Sequence, residues 1–131
     1  MDLLKEKQIG NKTVYYGFSI GAYLLIELAS KVKIDKIVLI SPSPLFSDTI
    51  KIIPKEDRKD FDLRLFDKSL EEMCDMINCE VEVYVGDKEI QEMKDIALKV
   101  ANKLGVQLQA VKDLGHEEKL FEKVLSIESQ V

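Results

Sequence analysis

The chain has no tryptophan, a single histidine and two cysteines among its 131 residues. A structural zinc site takes four ligands, mostly cysteine and histidine, so this composition argues against one. We therefore expect no metal and no other cofactor. Cys74 and Cys79 are expected to be reduced, because disulfides are rare in the cytoplasm, which is the compartment that the sequence predicts.

Basic charge in excess and long apolar runs are also missing. Lysine and arginine total 19 against 24 acidic residues, which gives a net charge of −5, whereas a nucleic-acid-binding surface needs a basic footprint. No apolar run approaches the ~20 residues of a membrane span, and residues 1–7 lack the apolar stretch of a signal peptide. These absences predict a cytoplasmic protein that binds neither nucleic acid nor membrane.

The sequence does contain an alternation of strand and helix patterns, which predicts one domain over residues 1–131. Strands are predicted at 13–16, 36–40, 81–85 and 106–111, and helices at 3–8, 22–31, 68–77, 93–104 and 117–127. Because parallel strands are joined by helical crossovers, the alternation predicts an α/β fold in three layers. Its centre would be a parallel four-stranded sheet flanked by helices.

Residues 17–21 read Gly-Phe-Ser-Ile-Gly and match the pattern G-x-S-x-G, between a predicted strand and a predicted helix. In that context the pattern favours a sharp turn that exposes the Ser19 hydroxyl, with glycines where side chains would collide with backbone. The N–H of Ile20 would then face a developing oxyanion from the start of the helix. The alternative is a plain tight turn with an incidental serine.

A serine needs a base before it can act as a nucleophile at neutral pH, and His116 follows the fourth predicted strand. The loops after parallel strands open at one edge of the sheet, so Ser19 and His116 are expected to share that edge. A third residue, a carboxylate, would orient the imidazole. Asp87 and Glu89 both follow the third predicted strand and are both candidates. A purely structural histidine is the alternative.

This order of serine, acid and histidine, with the glycine-flanked serine and the apolar strand leading to Ser-Pro, resembles the α/β-hydrolase superfamily over residues 12–127. The resemblance implies a truncated or minimal α/β-hydrolase fold, of which this chain is expected to be the C-terminal half only. It also implies Glu89 as the acid, since Glu89 lies three residues after Gly86, with Asp87 as the alternative.

By the same resemblance, residues 42–79 are a lid-like or cap-like insertion over the active edge. Its apolar residues either line a pocket for an acyl group or pack the insertion onto the body. They are Leu45, Phe46, Ile50, Ile52, Ile53, Phe61, Leu63, Leu65 and Phe66.

The superfamily has further strands before this point, one of which leads into a loop carrying a second oxyanion donor, and residues 1–11 contain no such motif. Strand 13–16 is therefore expected to be an open edge, through which two copies of the chain could pair. Three interpretations stay open: a minimal hydrolase completed by a partner or a second copy, a piece of a larger enzyme, and a degenerate homologue without activity.

The predicted function is hydrolysis of a small acyl ester, thioester or amide through an acyl-enzyme on Ser19. The competing hypothesis is a non-catalytic α/β module that binds a partner protein, for example through its sheet edge. Nucleotide binding is not favoured, because the glycine spacing of a dinucleotide site and the lysine of a phosphate-binding loop are both missing.

Overall fold

The computed structural model describes residues 2–59 and 62–128, which fold around one five-stranded sheet with its strands in chain order. The strands are β1 (Leu4–Ile9), β2 (Lys12–Phe18), β3 (Lys36–Ile40), β4 (Glu80–Gly86) and β5 (Leu108–Val111). The α-helices are α1 (Ile20–Ala29), α2 (Lys55–Arg58), α3 (Leu70–Asp75), α4 (Gln91–Lys103) and α5 (Glu118–Glu128). Short 3₁₀ turns at Ile50–Ile52 and Leu63–Leu65 lie between β3 and α3.

Strands β2 to β5 are parallel, and their side chains alternate between two apolar cores on opposite faces of the sheet. Ile37 and Leu39 of β3 belong to the core under α1, α3 and α4. Val38 and Ile40 belong to the core under α5. Because strands buried on both faces must be apolar throughout, the continuous run at 36–40 becomes the central strand of three layers.

The helix predicted at residues 3–8 is wrong, because this segment forms β1 and pairs antiparallel with β2. Two residues connect the strands, and Gly10 adopts a φ of 63° there. A glycine with positive φ at the first position of a two-residue connection is typical of a tight hairpin. The hairpin pairs the backbone of a segment that is too short to be a stable helix by itself.

The four predicted parallel strands are confirmed as β2 to β5. The sheet has five strands in place of the predicted four, because the antiparallel β1 joins it. The prediction that residues 13–16 form an open edge is wrong, because β1 covers β2 along its length. The edge on this side of the sheet is β1, which carries Lys5 and Lys7. Charged residues on an edge strand oppose pairing with another sheet.

The fourth parallel strand begins at Leu108, later than the predicted 106. The N–H of Val106 donates to the carbonyl of Ala101 and Gly105 has a φ of 70°, so these residues close the end of α4. A left-handed glycine after the last turn is a common helix ending.

The long connection between β3 and β4 packs mainly onto the body. Leu45, Phe46 and Ile50 are buried in the core under α1, whereas Leu65 is exposed. Phe61 lies outside the described residues. Within residues 2–59 and 62–128, no helix combines the length and the apolar character that a membrane span requires.

Candidate active site

The candidate site forms where four strands, β2 to β5, end at the same edge of the sheet. The residues after β2 and β3 still donate their N–H groups to the neighbouring strand: Ser19 to Ile40 (3.0 Å) and Ser41 to Tyr84 (2.8 Å). The chain then turns sharply, with a φ of 58° at Ser19 and 47° at Ser41. Since residues other than glycine rarely adopt such φ values, the backbone is strained at both serines.

The glycines on either side of Ser19 are required by close backbone approaches. A Cβ at Gly17 would lie 2.6 Å from the carbonyl oxygen of Gly21. A Cβ at Gly21 would overlap the carbonyl of Leu3, at the start of the β1 hairpin. The predicted collision of side chains at these positions is therefore confirmed, and Leu3, directly before β1, supplies one of the two neighbours.

Helix α1 begins directly after Ser19. Its first intrahelical bond runs from the N–H of Tyr23 to the carbonyl of Ser19, at 3.2 Å. The earlier N–H groups, that of Ile20 included, have no intrahelical acceptor, as at any helix start. They lend the N-terminus its partial positive charge beside the Ser19 hydroxyl. The role of Ile20 as an oxyanion donor stays a prediction.

Ser19, His116 and Glu89 form a continuous chain of hydrogen bonds. His116 Nε2 lies 2.9 Å from Ser19 Oγ, and His116 Nδ1 lies 2.9 Å from Glu89 Oε1. The imidazole packs against the ring of Phe18, with the centroids 4.8 Å apart. The structure thus brings together residues that lie up to 97 positions apart in the sequence.

Asp87, the alternative acid, has different partners. Its Oδ1 accepts the N–H of Asp113 at 2.8 Å, and its own N–H donates to Val111 at 3.0 Å. Asp113 has a φ of 64°, so Asp87 holds a strained turn after β5. The structure does not bring Asp87 to the imidazole.

Glu89 is buried, yet its surroundings favour the charged carboxylate. Burial alone would raise the pKa of Glu89, but hydrogen bonds from His116, Ser41 and the Gly86 N–H together outweigh it and hold that pKa below its ordinary value. The Gly86 N–H reaches Oε2 at 2.8 Å. The carboxylate is therefore ionised at neutral pH and can stabilise a positive imidazole.

Two serines that sequence reasoning missed contact this chain of residues. Ser41 Oγ donates to Glu89 Oε1 and lies 2.8 Å from His116 Nδ1. Ser43 Oγ lies 3.0 Å from Ser19 Oγ. Their position in the sequence could have predicted this, because both serines follow β3 and the loops after all parallel strands open at the same edge of the sheet.

A cleft of about 580 Å³ opens onto Ser19 and His116. One wall comes from the connection after β3, with Ile52 and Ile53, and the other from the start of α4, with Ile90 and Met93. The remaining lining residues are Ile20, Ser43, Pro44, Leu45, Pro54, Asp57, Lys88 and Glu89. The walls are mainly apolar, which is typical of sites for small organic molecules. No cluster of three or more metal-ligating side chains occurs among the described residues.

The fold is similar to that of solved hydrolases. An α/β hydrolase from the metagenome of lagoon sediments at Mar Chica, Morocco, superposes with a TM-score of 0.63 at 12% identity, covering 89% of this chain and 59% of that one. A ferulic acid esterase gives a TM-score of 0.54 at 16% identity, covering 86% and 47% of the two chains. An esterase of Pyrococcus furiosus gives 0.50 at 20% identity, covering 88% and 52%.

No protein-family model matches the chain, and no curated protein matches it by sequence. At such low identities the likeness to solved structures establishes the fold, which is α/β-hydrolase-like, and fold alone does not establish activity. The chain spans 59% or less of the length of these three enzymes.

Proposed function

We propose that this chain is a serine hydrolase that cleaves a small acyl ester, thioester or amide, with Ser19 as nucleophile, His116 as base and Glu89 as the acid that orients the base. The observation that carries the proposal is the pair of 2.9 Å contacts that join Ser19 to His116 and His116 to Glu89. Nucleophile and base lie within hydrogen-bond reach, and a buried carboxylate orients the base, as this chemistry requires.

In the first half-reaction, Ser19 Oγ attacks the carbonyl carbon of the substrate while His116 Nε2 takes the hydroxyl proton. The carbonyl π electrons move onto oxygen, and the N–H of Ile20 at the start of α1 stabilises the negative charge. The oxyanion then re-forms the carbonyl and expels the leaving group, which receives the proton from His116. An acyl group remains on Ser19.

In the second half-reaction, water attacks the acyl-enzyme while His116 Nε2 takes one of its protons. The tetrahedral centre collapses, Ser19 Oγ leaves with that proton, and the carboxylic acid departs. Throughout, the negative charge of Glu89 stabilises the transient positive charge of His116. This residue's carboxylate suits the task because its pKa is held low in the resting site.

The cleft indicates the kind of acyl group. Ile52, Ile53, Ile90 and Met93 line the cleft together with Ser19, so an uncharged apolar group would be favoured there. We assign residues 42–79 the role of a cap that forms one wall of the cleft.

One observation favours the alternative function, a module that binds a partner protein. Ile20, Leu24 and Leu28 are all exposed on α1 and recur every four residues, which places them in one stripe. Contiguous exposed apolar residues are typical of protein interfaces. This alternative predicts a folded protein whose Ser19 does not react with acylating reagents.

Labelling with a fluorophosphonate probe separates the two functions, since the probe needs an activated serine. We expect the wild type to gain one adduct on the peptide that contains Ser19, and Ser19→Ala and His116→Ala to gain none. Ser126→Ala, on the exposed side of α5, is a matched control and should label like the wild type.

Circular dichroism spectra would establish that each variant is folded. A folded wild type that fails to label, or labelling that persists in Ser19→Ala, would contradict the proposal.

A further inference from the structure

Ser41 occupies the junction between the acid and the base. Its side chain is fully buried, its Oγ contacts Glu89 Oε1, and the same Oγ lies 2.8 Å from His116 Nδ1. Because Glu89 Oε1 is itself 2.9 Å from His116 Nδ1, the three polar atoms form a closed triangle. Ser41 does not line the cleft.

Counting protons fixes the direction of each bond in this triangle. An ionised carboxylate only accepts, so Ser41 gives its single hydroxyl proton to Glu89 Oε1. The short contacts that His116 Nδ1 makes to Ser41 and Glu89 must then use a proton of its own. With Nδ1 protonated, a neutral His116 has an unprotonated Nε2, which faces Ser19 Oγ and can accept its proton.

We propose that Ser41 is a positioning residue that holds Glu89 and His116 in one arrangement and keeps the imidazole proton on Nδ1. The consequence for catalysis rests on the proposed function, whereas the effect of Ser41 on the His116 tautomer does not.

The backbone at Ser41 supports this role. Its φ of 47° lies in a region that glycine adopts more readily than any residue with a Cβ, so the turn by itself would favour glycine at this position. A hydrogen bond to a charged group is among the stronger hydrogen bonds in proteins. The contact with Glu89 therefore opposes the strain that the serine introduces.

The geometry of the carboxylate shows what Ser41 adds. Oε2 of Glu89 is held by the N–H of Gly86 at 2.8 Å, and Oε1 is shared by Ser41 and His116. Without the Ser41 hydroxyl, Oε1 keeps only the imidazole as a partner. The carboxylate is then less restrained, and the imidazole proton loses one of its two acceptors.

The tautomer of His116 can be measured directly, because the chain contains a single histidine. In a protein labelled with ¹⁵N-histidine, NMR shifts recorded at about pH 8.5, where an imidazole is ordinarily neutral, report which nitrogen carries the proton. We expect the Nδ1–H form in the wild type. In Ser41→Gly the ratio of Nδ1–H to Nε2–H should fall by about tenfold, as expected for the loss of one hydrogen bond.

Ser41→Gly is the informative variant, because glycine accepts the positive φ and the fold should be retained. Ser41→Ala loses the same hydroxyl but keeps the strain, so both variants should shift the tautomer if the hydroxyl is responsible. Ser126→Ala should leave the spectrum unchanged. A wild-type tautomer ratio in folded Ser41→Gly would overturn the proposal.

If the chain hydrolyses a chromogenic ester, both Ser41 variants should lower kcat by about tenfold or more and leave KM unchanged, since Ser41 lies outside the cleft. A change confined to KM would overturn the positioning role. Should the wild type prove unreactive towards esters and fluorophosphonates, the proposed function fails, and the NMR result still decides whether Ser41 sets the tautomer.

Discussion

Strands β3 and β4 carry a polar cluster at each of their ends, and the two clusters shift the pKa of a glutamate in opposite directions. At the carboxyl end, Ser41 follows β3 and Glu89 follows β4, and the Glu89 carboxylate accepts from three donors. At the amino end, Lys36 of β3 lies beside Glu82 of β4. There, several carboxylates share one lysine.

The amino-end cluster extends to helix α5. Lys36 Nζ lies 3.5 Å from oxygens of Glu80 and Glu82 and 4.0 Å from Glu128 Oε2. The hydroxyl of Tyr84 donates to Glu128 Oε1 at 3.0 Å. Burial, followed by the hydrogen bond and negative charge of Glu128, raises the pKa of Glu82 to about 7.

The comparison shows that donors, more than depth, decide the charge state of these carboxyl groups. The Glu89 side chain is 0% exposed and has a lowered pKa, whereas that of Glu82 is 31% exposed and has a raised one. Among the described residues, Glu82 Oε2 and the Tyr16 hydroxyl are buried without a hydrogen-bond partner. A buried carboxylate stays ionised where each oxygen has a donor.

The largest effect is expected from a substitution that disrupts the carboxyl-end cluster. Glu89→Gln keeps the shape of the side chain but removes its charge, so it should lower kcat/KM for an ester, or the rate of fluorophosphonate labelling, by about a thousandfold or more. Asp87→Asn is the matched control, because Asp87 contacts the backbone of Asp113 and not the imidazole. A larger loss in Asp87→Asn than in Glu89→Gln would assign the acid to Asp87.

A second change tests the backbone support of the same cluster. A Cβ at Gly86 would overlap the carbonyl of Leu114, whereas a Cβ at Gly115 would meet its nearest atom at 3.8 Å, an ordinary contact. Gly86→Ala should therefore lower the free energy of unfolding by about 3 kcal/mol, and Gly115→Ala by less than about 1 kcal/mol. Urea unfolding measures both losses. Equal losses would show that the close approach of Gly86 to Leu114 does not exclude a side chain at Gly86.

Two tyrosines test how much hydrogen bonds contribute to stability in the amino-end cluster. Tyr84→Phe removes the donor to Glu128 and should cost about 1–2 kcal/mol of unfolding free energy. Tyr16→Phe removes a hydroxyl that has no partner among the described residues, so stability should be unchanged or slightly higher. Thermal unfolding of both variants checks the order, and a larger loss for Tyr16→Phe would contradict it.

The smallest effect depends on pH. Because the folded-state pKa of Glu82 is raised from 4.5 to about 7, its stabilising contribution is fully present below pH 4.5 and is lost as the pH rises through 7. Glu82→Gln mimics the protonated group, so at about pH 8 it should be more stable than the wild type by about 1 kcal/mol, a value reduced for partial solvent exposure.

The unfolding free energies of the wild type and Glu82→Gln should converge as the pH falls towards 4. The contribution of Glu89 to stability has the opposite pH dependence. Because its pKa is lowered in the folded protein, that contribution is present above the unfolded-state pKa and is lost in acid. Chemical denaturation at several pH values measures the difference for Glu82, and a pH-independent difference would contradict the raised pKa.

Local patterns in the sequence were enough to predict much of the architecture. The continuous apolar run at 36–40 predicted a strand buried on both faces, and residues 81–85 predicted a further strand. The glycines around Ser19 favoured a sharp turn after a strand. Parallel strands place their following loops at one edge, so Ser19, His116 and the segment with Asp87 and Glu89 were expected to meet there.

The β1 hairpin was not predictable in the same way. Residues 4–9 read Leu-Lys-Glu-Lys-Gln-Ile, without alternation of apolar and polar side chains, and are mostly exposed, so no buried face sets a period. Their strand conformation comes from pairing with β2 across the turn at Gly10, and Leu3, directly before β1, lies against Gly21. Tertiary contacts override weak local preference in such segments.

The sequence by itself determined the class of fold and the residues that could supply a nucleophile, a base and an acid, because periodicity and turn chemistry are local properties. Tertiary structure alone decided that Glu89 meets the imidazole while Asp87 holds a turn, and that Ser41 joins acid and base. These outcomes depend on where side chains from different strands end in space, within about 3 Å, which is the range of a hydrogen bond.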